Sequence, residues 1–91
     1  MIEIERVPQK TDNFVVAKVD GEPVIMQIEN GFFFTLNSTA EDIWNSINNE
    51  ASIEDIIQSM AKSYDVQAAE CSDDIQGFLK DLADNDLVRF A

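Results

Sequence analysis

Histidine is absent from this 91-residue sequence, and cysteine occurs once, as Cys71. Without histidine there are no Ser–His or Cys–His nucleophile pairs, and the commonest general base is missing. Histidine ligands for zinc are excluded as well, and one thiol builds neither a thiolate site nor an intramolecular disulfide. The three glycines, Gly21, Gly31 and Gly77, lie far apart, so no glycine-rich phosphate loop is present. Basic residues are also scarce, with 6 Lys plus Arg against 18 Asp plus Glu. A chain this poor in cations repels phosphate backbones and anionic lipid surfaces, which argues against nucleic acid and membrane as partners. No apolar run is long enough to span a bilayer, and Met1 to Lys10 lacks the apolar core of a signal peptide. A cytoplasmic, non-enzymatic protein with no metal and no cofactor is the expectation.

What the sequence does have is a formal net charge of −12 and a hydrophobic fraction of 45%. The first favours encounter with a basic peptide or basic protein, or serves solubility alone. The second fits one domain with one core over residues 1–91.

Along the chain, residues 1–12 show no period and read as a loosely ordered arm with a short extended piece, Pro8 opposing a helix. Three β-branched and aromatic runs follow, at 14–19, 23–28 and 32–36, separated by the turn signals Asp20-Gly21 and Asn30-Gly31. Short turns between three strands specify an antiparallel meander. The period then changes from two to 3.6. Ser38-Thr39-Ala40-Glu41 has the form of a capping box, with Asn37 as the rival N-cap. Ala40, Ile43, Trp44 and Ile47 share one helical face. Ser52 caps a second helix lined inwardly by Ile53, Ile56, Ile57, Met60, Ala61 and Tyr64. A third runs over 68–83 with the stripe Cys71, Ile75, Phe78, Leu79 and Leu82, and Leu87-Val88 folds back onto the core. The fold class is α+β: a three-stranded antiparallel sheet followed by three helices that cover one face.

The run Gly31 to Asn37, followed by Ala40, Ile43 and Trp44, resembles the PqqD-like family. So does the later series Ser52, Ile56, Tyr64-Asp65-Val66, Asp74, Phe78-Leu79, Leu82 and Leu87-Val88. These domains are the recognition elements for precursor peptides that are made ribosomally and then modified. The resemblance spans residues 6–90 and implies a winged-helix-like fold. It also implies binding of the leader part of a precursor peptide, added as a strand to the third strand of the meander in a groove bordered by the third helix. The implied partners are the precursor peptide and a leader peptidase or other modifying enzyme. A B1-type protein of lasso-peptide biosynthesis is the leading expectation, with a chaperone of pyrroloquinoline quinone biosynthesis as the alternative.

Strand addition requires a sheet edge with unpaired N–H and C=O groups, which residues Phe32, Phe33, Phe34, Thr35 and Leu36 would supply. Alternation puts Phe32 and Phe34 on one face, Phe33 and Thr35 on the other. Phe33 therefore packs under the N-terminal arm or lines a pocket for an apolar leader side chain. Asp74, Gly77, Phe78 and Asp81 share one face of the third helix. Glycine inside a helix costs about 1 kcal/mol against alanine, so Gly77 marks close approach, by the sheet or by a bound peptide. Asp74 and Asp81 are solvated acids or contacts to the leader, and Asp74 matches the acid that the family carries at this place. The paired acids Asp73-Asp74 and Asp84/Asp86 lack calcium-loop spacing. Three rival readings remain: a winged-helix DNA regulator, which the acidic third helix opposes, an adaptor for a folded basic protein, and an enzyme working with carboxylates alone.

Overall fold

The computed structural model describes residues 3–91, in the order β1 (Pro8–Lys10), β2 (Phe14–Val19), β3 (Glu22–Gln27), β4 (Phe33–Thr35), α1 (Ser38–Ser46), α2 (Ile53–Tyr64), α3 (Ala68–Asp84) and β5 (Val88–Phe90). Strands β2, β3 and β4 form the expected antiparallel meander in that order, and the three helices follow. The β2–β3 turn is tight because Asp20 (φ 54°) and Gly21 (φ 84°) both take left-handed backbone, as a type I′ hairpin requires. The β3–β4 connection is wider than a two-residue Asn-Gly turn. Gly31 N–H donates to Gln27 O at 3.0 Å, and the buried Gln27 side chain accepts from the N–H groups of Glu29 and Asn30.

Helix α1 is capped by Asn37, whose Oδ1 accepts the Ala40 N–H at 2.8 Å; the Ser38-based capping box does not form. Asn37 wins because it is the residue with extended backbone, φ −73° and ψ 177°, while Ser38 is already helical. Helix α2 starts on a complete capping box between Ser52 and Asp55 and ends at Asp65 in left-handed backbone.

The core lies between one face of the meander and the helices. Ile25 and Leu36 come from the sheet; Ile43, Trp44, Ile47, Ile53, Ile56, Ile57 and Met60 from α1, α2 and their flanks; Ile75, Leu79 and Leu82 from α3. Full burial of a side chain such as Ile25 contributes about 1.5–3 kcal/mol. Tyr64, expected on the inner face of α2, is exposed instead and donates its hydroxyl to Asp42 on α1. Cys71 sits half-buried on the α3 stripe.

The chain ends pair with each other. Within the arm read from sequence as loosely ordered, β1 pairs antiparallel with β5, Gln9 opposite Arg89. Val7 and Ala91 exchange both backbone hydrogen bonds, at 3.1 and 2.9 Å. The fold-back of Leu87 and Val88 onto the core supplies the partner strand, and both side chains are buried. Lys10 lies over the Trp44 ring at 4.3 Å, and burial lowers its pKa from the usual 10.5.

Candidate functional site

The register of β4 on β3 fixes what its free edge presents. Gln27 N–H donates to Phe32 O at 2.7 Å, and Leu36 N–H donates to Pro23 O at 2.9 Å. Between these two points Phe34 stands opposite Ile25, with Phe33 opposite Met26 and Thr35 opposite Val24. Hydrogen-bonded and non-hydrogen-bonded pairs alternate in an antiparallel ladder. Phe34 therefore directs its N–H and C=O toward β3, while Phe33 and Thr35 direct theirs outward. Those outward groups find no partner among the described residues. This is the edge that strand addition requires.

Side chains alternate in the same way. Phe34 and Leu36 face the core, Leu36 fully and Phe34 at its margin. Phe32 shares that side and meets Phe34 edge to face at 5.1 Å. Phe33 and Thr35 point to the other face, where Phe33 is 62% exposed and does not pack under the described residues of the arm. Of the five residues expected in the binding strand, Leu36 has its side chain in the core and its N–H bonded to Pro23, so its backbone turns toward β3 rather than to the free edge.

On α3, Asp74, Gly77 and Asp81 are exposed, and Phe78 is half-buried at the margin of the core, as Phe34 is. A Cβ built on Gly77 meets nothing within 4 Å, so packing against the sheet does not explain this glycine. Lys80 is paired with Asp84 at 3.2 Å, which leaves Asp73, Asp74 and Asp81 without an ion-pair partner among the described residues. Among the described residues, two concavities adjoin β4. One, of about 600 Å³, lies on the outer sheet face against Val19, Val24, Met26, Phe33 and Thr35. The other sits at the hairpin, lined by Asn30, Gly31, Phe32 and Phe33. Neither is lined by an α3 residue. Sequence reasoning overlooked Val19, Val24 and Met26; the sign was that 24–26 is an apolar run rather than an alternating one. Among the described residues, no three Cys, Asp or Glu side chains cluster as metal ligands would, and no helix is long and apolar enough to cross a membrane.

Residues 22–88, from β3 into β5, match the PqqD family, described as coenzyme PQQ synthesis protein D. The chain belongs to the PqqD family. No curated protein matches its sequence. Two solved structures share the fold of this PqqD-family chain. One is TbiB1 in complex with the TbiA(beta) leader peptide, at 26% identity and TM-score 0.76, covering 89% of this chain and 94% of that one. The other is a lasso peptide synthetase B1 complexed with the leader peptide, at 23% identity and TM-score 0.77, covering 90% and 96%.

Proposed function

We propose that this PqqD-family protein captures the leader region of a ribosomally made precursor peptide by adding it as a strand to β4, without chemistry of its own, and hands it to a modifying enzyme or leader peptidase. Lasso-peptide biosynthesis is the setting. The observation that carries the reading is the free edge of β4, where Phe33 and Thr35 turn unpaired N–H and C=O groups outward. The similarity to TbiB1, a structure that holds a leader peptide, supports it.

Backbone hydrogen bonds along β4 supply register and part of the affinity, each contributing about 0.5–1.5 kcal/mol net. Specificity comes from side chains: Phe32, Phe33, Phe34 and Phe78 as apolar contacts, Asp74 and Asp81 as acceptors for leader amides or basic groups. Gly77 lets the peptide approach the α3 backbone. The gain to the enzyme is positional, since tethering raises the effective concentration of the peptide at its active site.

The test is an amide NMR titration with the leader half of the precursor encoded beside this chain. Large shifts at Phe33 and Thr35 and along residues 70–82 are expected. No shifts at high peptide excess would sink leader capture for that peptide and promote the reading as an adaptor for a folded basic protein.

A further inference from the structure

The sheet has a second face that none of the described residues covers. The helices pack on the side of Ile25 and Leu36. Strand alternation and the β2–β3–β4 register put Val15, Val19, Val24, Met26 and Phe33 together on the opposite side. Val19 is 57% and Met26 42% exposed there, though half-buried sheets ordinarily carry polar residues on their outer side. The patch is also shaped: Val19, Val24, Met26, Phe33 and Thr35 line the concavity of about 600 Å³, together with the acids Asp20 and Glu22. Neither acid has an ion-pair partner among the described residues.

We infer that this outer face is the docking surface for the processing enzyme, and that the enzyme seats an apolar side chain flanked by Lys or Arg in the concavity. The inference rests on the leader-capture reading for the identity of the enzyme. Three observations select this occupant. A mainly apolar lining that also carries the two acids Asp20 and Glu22 is complementary to an apolar anchor flanked by basic residues. A second copy is a poor fit, because each chain carries a net charge of −12 and would bring the same acids, Asp20 and Glu22, rather than basic groups. Phe33 and Thr35 belong to both surfaces, by their backbone to the free edge and by their side chains to this face. A peptide added to β4 places every second side chain on the same outer face. An enzyme docked there touches carrier and peptide together.

The test is calorimetric titration of the recombinant processing enzyme encoded beside this chain into wild type, Val19→Lys and Glu22→Lys. Both positions are exposed and lie beside the β2–β3 turn, away from the β4 edge. Polarisation of a labelled leader peptide is measured on the same samples, and circular dichroism confirms their fold. Each variant is expected to weaken the enzyme by about tenfold or more while leader affinity stays within about twofold. Enzyme binding unchanged in both variants, or absent in wild type, overturns the inference. So does a wild-type dimer in sedimentation that Val19→Lys dissolves, which would make a second copy the occupant. If wild type binds enzyme but not leader, the leader-capture reading fails while the docking result still stands.

Discussion

Phe34 stands directly opposite Ile25 in the register of β4 on β3. That pairing turns the Phe34 backbone inward and, by alternation, the Phe33 and Thr35 backbones outward. It also sends the Phe34 ring to the core margin and the Phe33 ring to the outer face. A shift of one residue would exchange the two sets. The wide turn held by the buried Gln27 side chain, which accepts from Glu29 and Asn30 at 2.7 and 2.9 Å, fixes the register at one end.

Thr35→Pro removes one outward N–H without touching a bond of the existing ladder, a position where edge strands tolerate proline. Leader affinity is expected to fall by about tenfold or more, because both a donor and the space for an added strand are lost. The melting temperature should change little. Wild-type affinity in the variant would show that the leader does not pair along this edge.

Gly77→Ala separates stability from binding. With nothing within 4 Å of the added methyl, urea unfolding should show a gain of about 1 kcal/mol from helix propensity. If the leader lies against α3 at this point, the same methyl occupies its place, and affinity should fall about fivefold. A stabilised variant that binds the leader normally removes Gly77 from the site.

Much of this was legible in the sequence for definite reasons. The meander shows through Asp20-Gly21 and the β-branched runs, the helices through the 3.6-residue spacing of Ile43, Trp44 and Ile47 and of Ile75, Leu79 and Leu82. The β1–β5 pair was not legible, because three residues at each end carry no period and the pairing joins positions 80 or so apart, as Pro8 with Phe90. At the candidate site, the free edge followed from strand order, but Leu36 reads from sequence as one more strand residue and is in fact core. The outer apolar face escaped because Val24 and Met26 in an apolar run look the same as buried residues.

Asn37→Ala and Ser38→Ala test which residue begins α1, where the chain leaves the free edge of β4. Asn37 Oδ1 accepts the Ala40 N–H, so its loss should cost about 1 kcal/mol in chemical unfolding. Ser38→Ala, inside the first turn, should be nearly neutral or slightly favourable. Equal costs would mean that the two residues share the cap.

Tyr64 is the one tyrosine in the sequence, so its titration is observable in isolation by the ultraviolet absorbance of tyrosinate. Its hydroxyl donates to the Asp42 carboxylate, tying the end of α2 to α1. That hydrogen bond is the main cause that raises its pKa above the usual 10.0, with a bond involving Thr39 acting in the lowering direction. A folded-state pKa raised above the unfolded value means that the contribution is fully present below pH 10 and is lost as pH rises through the folded value. Lys10 acts with the opposite sign: its lowered pKa makes stability rise with pH up to about the usual 10.5. Bulk unfolding in this window therefore mixes the two, and the direct titration does not. The midpoint is expected above 10.0 in wild type and nearer 10.0 in Asp42→Asn, where the charged acceptor is gone. Identical midpoints would show that the tie between α1 and α2 does not form in solution, and the α2 end would then be held by its core face alone.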